Sequence, residues 1–356
     1  MTPPTAGRAA RAPWHSPGAP APATAGRFLV GVPVEPGTAR IAVDLLGGDD
    51  APAVVVDGAL RAVRADPDLH LLLVGPTEVA GGLIDALDPA HRARIAVRPV
   101  HTAVGMADHP TAGRAHSTVR AAVHAVREGL ADALVSAGST GATVTAAALG
   151  FGRWPHVRRP ALVATLPAVA GPVVLLDVGG SLEPGPATLA RHAVLGAAYA
   201  AVAHGVAEPR IGLLSVGTEA GKGDRLRRAT DPVLAAVPLP CGARYVGLVE
   251  GYDVASGTRA DVVVTDGFTG NVLLKAIEGA YAMAGGPPAS GGAPRAAALL
   301  GVAGTVVVCH GAARPDDVAS GIALAAHLWR RRATDLISSL LDGIPQDPAH
   351  GNEVVQ

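Results

Sequence analysis

Short apolar runs, each ending in a glycine-bearing polar turn and followed by a segment of helical spacing, recur along this chain from Ile41 onward. The clearest is Asp261–Lys275, DVVVTDGFTGNVLLK. There an apolar strand, Val262–Val264, enters a turn holding Asp266, Gly267, Thr269, Gly270 and Asn271, and the pattern predicts a helix over Val272–Met283. The plan recurs at Leu134–Ala142, Val173–Ser181 and Ile211–Gly223. A buried strand that ends in glycines and small polar groups before a helix N-terminus is a site for a phosphate or other oxyanion.

The same reading predicts strands over Ile41–Asp44, Leu69–Val74, Ile95–Val97, Ala161–Leu166, Tyr245–Val249 and Gly304–Cys309. Helices are predicted over Val54–Val63, Val79–Leu87, Thr143–Leu149, Ala187–Ala203 and Asp316–Trp329, with a short one at Arg225–Ala229 before a proline-rich break. The helix after the candidate N-cap Ser117 carries Val119, Ala122, Val123 and Val126 on one stripe, with Arg120, His124 and Arg127 off it. The loop Gly105–Ser117 holds Asp108, His109, Pro110, Arg114 and His116, and Gly285–Pro294 reads as a flexible loop. Strands apolar throughout belong to a largely parallel sheet covered on both faces, so the fold class is α/β.

Composition narrows the partners. The chain has 356 residues, 49% of them hydrophobic, enough for one large α/β domain or two tightly joined lobes. Lys+Arg 29 against Asp+Glu 30 gives a net charge of -1, which offers no general attraction to nucleic acid. Cys241 and Cys309 are too far apart for a CxxC metal site or a disulfide framework, which fits a reducing cytoplasm. No apolar tract reaches the ~20 residues of a membrane span. Residues 1–40, rich in Pro, Ala and Gly, read as a disordered extension, 41–342 as the α/β domain, and 343–356 as a disordered tail.

In a parallel sheet the turns would share one edge. That expectation gathers Gly47, Gly48 and Asp49; Ser136, Gly138, Ser139, Thr140 and Gly141; Asp177 and Ser181; Glu219 and Lys222; and Asp266, Thr269, Gly270 and Asn271. Lys222 is the one ammonium nearby, flanked by Gly221 and Gly223, and suits neutralisation of charge in a transition state. The plainer alternative is that the glycines only make tight turns and that Lys222 is an exposed turn lysine. Asp44, Asp49, Asp177, Asp261 and Asp266 have the chemistry of bases or metal ligands, yet turn aspartates more often cap helices and brace loops. Cys309 and His310, as strand neighbours, point to opposite faces and make no nucleophile–base dyad; His310 reads as a hydrogen-bonded strand-end residue. No GxxxxGK[ST], HExxH, GxSxG or GxGxxG motif is found in its required setting.

Taken together, IAVDLLGGD (41–49), ADALVSAGSTGA (131–142), RPALVATLP (159–167), LLDVGGS (175–181), PRIGLLSVGTEAGKG (209–223), DVVVTDGFTGNVLLK (261–275), GGAP (291–294) and HG (310–311) resemble, in order, the phosphate:acyl-carrier-protein acyltransferase family, PlsX. The resemblance implies a Rossmann-like αβα sandwich, similar to the fold of phosphotransacetylases and isocitrate dehydrogenases, and a homodimer. It implies transfer of a fatty acyl group from acyl carrier protein to inorganic phosphate, the acyl phosphate then feeding a glycerol-3-phosphate acyltransferase at the membrane. Lys222 would hold phosphate against the thioester carbonyl, with the turn residues above and His310 around it. No metal or organic cofactor is implied, and the enzyme would be cytoplasmic and peripheral at the membrane. The chain departs from the family pattern where asparagines become Ser139, Ser181, Ser215 and Asp224, where HGSS becomes His310-Gly311-Ala312-Ala313, and in the short segment 284–290. A non-catalytic homologue that binds acyl carrier protein, or an acyltransferase using a CoA thioester, are the alternatives to that reading.

Overall fold

The computed structural model describes residues 37–85, 87–105, 108, 117–155, 157–285, 296–342 and 344. The loop residues His109, Pro110, Arg114 and His116, the GGAP segment and, of the two expected disordered ends 1–40 and 343–356, residues 1–36, 343 and 345–356 lie outside the described residues; Ala39 and Arg40 belong to the first strand.

In chain order the elements are β1 (Ala39–Asp44), α1 (Ala53–Ala65), β2 (Leu69–Gly75), α2 (Thr77–Asp85), α3 (Pro89–Arg92), β3 (Ile95–Pro99), α4 (Thr118–Arg127), β4 (Ala133–Ser136), α5 (Thr140–Phe151), β5 (Ala161–Leu166), β6 (Val173–Leu176) and α6 (Pro186–His204). They continue as β7 (Arg210–Leu214), α7 (Arg225–Ala236), β8 (Arg244–Val249), α8 (Gly251–Ser256), β9 (Val262–Val264), α9 (Gly267–Met283), β10 (Ala296–Leu300), β11 (Thr305–Cys309), α10 (Pro315–Arg330) and α11 (Ala333–Leu341). The strands form one sheet in the order β3-β2-β1-β4-β11-β10-β5-β6-β9-β7-β8. Alternate residues of each strand bury against opposite layers. Ile41 and Val43 lie in the layer that holds α1, α6 and α10, whereas Ala42 lies in the layer of α4, α5 and α9. This is the α/β sandwich expected, and its strands are apolar on both faces because both are covered.

α3, α8 and α11 have no counterpart among the expected elements, and three others depart from expectation. β10 was hidden inside one apolar tract with β11, where Gly301 and Gly304 make the hairpin turn. α7 runs on through Pro232, with the buried Leu234 holding its second half on the core, so the proline does not end it. α9 begins at Gly267 rather than Val272, because Asp266 caps it through the Thr269 N–H at 2.8 Å.

The larger correction concerns direction. β10 pairs antiparallel with both β11 and β5, and β5 pairs antiparallel with β6. Hence β1, β2, β3, β4 and β11 run one way, and β6, β7, β8 and β9 run the other. The chain is internally duplicated about this reversal. Arg40 of β1 gives its backbone N–H and Nε to Oδ2 of Asp132, Nη2 to Oδ1, and Nη1 to the Gly129 carbonyl. Arg210 of β7 repeats the set on Asp261, with Nη1 on the Thr258 carbonyl. Ile41 pairs with Ala133 just as Ile211 pairs with Val262, so β1/β4 and β7/β9 share one register.

Candidate active site

The reversal splits the expected site in two. Gly47, Gly48, Asp49, Ser136, Gly138, Ser139, Thr140, Gly141 and His310 stand at the ends of β1, β4 and β11. Asp177, Ser181, Glu219, Lys222, Asp266, Thr269, Gly270 and Asn271 stand at the ends of β6, β7 and β9, on the opposite side of the sheet's strand axis. α9 spans the gap. Near its start Asn271 donates to the Val178 carbonyl at 3.0 Å, and near its end Tyr281 donates to the Pro167 carbonyl while Glu278 meets His310 Nε2 at 3.2 Å. From Asp266 to Glu278 is about 18 Å at 1.5 Å rise per residue. The single edge expected from a parallel sheet is therefore not formed within one chain.

At the first end Asp44 is buried and central. Its Oδ2 accepts from Ser136 Oγ at 2.8 Å and its Oδ1 from the Leu46 N–H at 3.2 Å. Burial pushes this carboxyl up, only partly offset by hydrogen bonds from Thr118, Ser136, Leu46 and Gly47. Ser136 Oγ in turn accepts the Gly138 N–H at 3.1 Å, and Ser139 caps α5 through Ala142. Asp49 is exposed and gives its N–H to the Gly311 carbonyl at 2.8 Å. Cys309 and His310 part as strand neighbours should: Cys309 is buried under α10, with Sγ directed to the Asp317 carbonyl, and His310 turns to Glu278 on α9.

At the second end two aspartates consume the donors that the turns were expected to offer a ligand. Asp177, fully buried, takes the N–H groups of Leu162, Gly179 and Gly180 on Oδ1 at 2.9, 3.1 and 2.8 Å. Burial raises its pKa against the pull of these donors and of His192. Burial also lowers the pKa of His192, which packs behind it on α6, although Asp177 pulls the other way. Asp266 takes Thr269 N and Oγ1, both at 2.8 Å, and Arg227 Nη2. Burial works to raise its pKa, but the Thr269 bonds and the Arg227 charge outweigh it and hold the carboxyl low. Gly270 lets α9 press on this brace: a Cβ there would lie 2.0 Å from the Asp177 carbonyl oxygen.

What stays open at this end is different in kind. Lys222 is exposed and its ammonium is paired with no carboxylate among the described residues. Its stem and the Glu219 carboxylate lie over Gly217, where a Cβ would come within 3.2 Å of Lys222 Cγ and 2.8 Å of Glu219 Oε2. Ser181 Oγ and Ser215 Oγ are buried with no hydrogen-bond partner. Sequence reasoning missed Arg227 and His192 at this end and named Ser215 only as a departure from the family pattern. For Arg227 a signal existed, since it follows Asp224 by three residues on a predicted helix; for His192 nothing distinguished it from a core histidine.

The sequence profile of the family described as "Fatty acid synthesis protein" matches residues 39–286. The phosphate acyltransferase of Thermobifida fusca (strain YX) is 41% identical over 340 residues, covering 87% of this chain and 93% of that one. This chain belongs to the phosphate acyltransferase family. The family's member in Syntrophomonas wolfei subsp. wolfei is 35% identical over 320 residues, 83% of this chain and 97% of that one. Among solved structures, a phosphotransacetylase from Streptococcus pyogenes aligns with a TM-score of 0.57 at 19% identity, over 84% of this chain and 94% of that one. EutD phosphotransacetylase from Staphylococcus aureus aligns at 0.56 and 16%, over 83% and 96%. These two share the family's fold. No group of three metal-ligating side chains occurs among the described residues, and no helix among them is long and apolar enough to cross a membrane.

Proposed function

We propose that this chain transfers a fatty acyl group from the thioester of acyl carrier protein to inorganic phosphate, giving an acyl phosphate for phosphatidic acid synthesis. A phosphate oxygen attacks the thioester carbonyl, the C–S bond breaks, and the carrier leaves as a thiolate that takes up a proton from solvent. The observation that carries this reading is the unpaired Lys222 ammonium at a strand end where Ser181 and Ser215 hydroxyls have no partner of their own. Lys222 holds the phosphate and offsets charge developing on the carbonyl oxygen, while the two hydroxyls donate to phosphate oxygens. Phosphate is a nucleophile at neutral pH, so positioning and electrostatics suffice and the reaction balances without a cofactor.

The active form in this reading is a homodimer. A two-fold partner can bring one chain's Lys222 end toward the other chain's β1 and β4 ends, which the strand reversal keeps apart within one chain. The acyl phosphate passes to a glycerol-3-phosphate acyltransferase, with this enzyme cytoplasmic and peripheral at the membrane.

The test is incubation of acyl-loaded carrier protein with phosphate and trapping of the product by hydroxylamine as the hydroxamate. Phosphate-dependent hydroxamate that falls at least about a hundredfold in Lys222→Ala is expected for a group that stabilises transition-state charge. Equal rates in parent and variant would sink the assignment, and acyl-CoA run in parallel distinguishes the thioester donor.

A further inference from the structure

We propose that Arg227 is the positioning residue of the Lys222 site, a role that rests on Lys222 being the phosphate-holding group. Arg227 lies in the first turn of α7 and is 7% exposed. Its guanidinium reaches four acceptors. Nε donates to the Leu214 carbonyl at 3.2 Å, Nη1 to Asp224 Oδ2 at 3.0 Å, and Nη2 to Thr265 Oγ1 at 2.8 Å and to Asp266 Oδ2. Leu214 ends β7 and opens the turn that bears Lys222; Asp224 closes that turn. Thr265 and Asp266 end β9 and cap α9. One planar fork thus clamps both ends of the Lys222 turn to the helix that carries Asn271, a geometry an ammonium cannot reproduce.

Two further observations point the same way. A cation in the first turn of a helix faces the positive end of the helix dipole, and a buried one is costly unless paired, so Arg227 persists there only against the carboxylates of Asp224 and Asp266. The internal duplication supplies a control. At the matching place in the first half, Ser136 is bonded directly by Asp44, with no arginine between the strand ends among the described residues. The clamp therefore belongs to the end with Lys222 and not to the fold in general. Contact with the turn is direct: a Cβ added to Gly223, which stands at φ +94 beside Lys222, would lie 2.5 Å from Arg227 Cβ and 2.9 Å from Ser215 Oγ.

The experiment is a double-mutant cycle in the hydroxamate assay, with kcat, phosphate KM and thermal midpoint measured for Arg227→Lys, Lys222→Ala and the double variant. If Arg227 acts by placing Lys222, Arg227→Lys lowers kcat about tenfold in the parent but less than about twofold in the Lys222→Ala background, since coupled residues are not additive. Asp224→Asn, which weakens the same clamp at its exposed carboxylate, gives the same pair of results and serves where an Arg227 variant does not fold. Equal losses in both backgrounds would make Arg227 merely structural and overturn the proposal, as would an unchanged kcat in folded Arg227→Lys. Full activity in Lys222→Ala would overturn the Lys222 assignment itself, and this role of Arg227 with it.

Discussion

Asp177 accepts the backbone N–H of Gly180 at 2.8 Å, so the turn expected to present free donors to a ligand is closed on its own aspartate. Leu162 and Gly179 donate to the same oxygen. Asp177→Ala is therefore expected to cost about 1–3 kcal/mol of unfolding free energy, the range for buried polar groups left without a partner. Asp177→Asn, which keeps an acceptor oxygen, is expected to cost less than half as much and to leave phosphate KM within about threefold. Urea denaturation alongside steady-state kinetics checks both; a large rise in phosphate KM for Asp177→Asn would mark Asp177 as a ligand.

Ser181 and Ser215 give the opposite signature. Their Oγ atoms make no hydrogen bond in the free protein, so alanine removes nothing from its stability. Each Ser→Ala change is expected to leave the melting temperature nearly unchanged and to raise phosphate KM by about 3–10-fold, the effect of one lost hydrogen bond to an anion. Melting curves and phosphate titrations of the two variants decide it. A changed melting temperature with unchanged KM would refute the prediction.

His204 makes stability depend on pH. It hydrogen-bonds Thr165 Oγ1 through Nε2 at 2.8 Å and stands edge-on to Tyr199, with ring centroids 5.4 Å apart. Burial, with the charges of His327 and Arg331, pulls its pKa down to about 4 from 6.5. The folded state thus binds this proton less readily than the unfolded chain. The stabilising contribution is complete above pH 6.5 and is lost as pH falls from 6.5 toward 4, at most about 3 kcal/mol in all. His204→Gln keeps a partner for Thr165 without a titrating group. Urea midpoints measured across this window are expected to fall less steeply with acid in His204→Gln than in the parent, and parallel curves would show that His204 contributes nothing.

The two-ended site predicts complementation. Thr140→Asp puts a negative charge in the first turn of α5, where it opposes an anion, and Lys222→Ala removes the cation at the other end. If one active site takes one end from each chain, mixing the two inactive variants under subunit exchange restores about a quarter of parental activity, since half of the dimers are mixed and each holds one intact site. No recovery after exchange confirmed by differential tagging would place both ends of the site in a single chain.

Much of the fold was legible because its signals are local. An apolar run of strand length followed by a helical stripe identifies each βα unit, and β5, β6 and β9 lie where their apolar residues place them. The misplaced boundaries also have local causes in hindsight: Asp266 caps α9 from outside the apolar stripe, and α7 continues past Pro232 because Leu234 is buried. The site was less legible. Glycines and small polar residues announced turns, but whether a turn's N–H groups face a ligand or an internal carboxylate depends on how residues distant in sequence meet, as Leu162 meets Asp177.

Family membership, the α/β class and the candidate lysine were written in the order and spacing of residues, because apolar periodicity and motif order need no knowledge of how strands pair. Strand direction was not. Hydrophobic patterns are the same for a strand read up or down the sheet, so only the antiparallel pairings of β10 with β11, of β10 with β5 and of β5 with β6 showed that the turns divide into two ends. That division separates Asp44 from Lys222, and it left the clamp of Arg227 on Asp266 invisible until residues 39 positions apart were brought together.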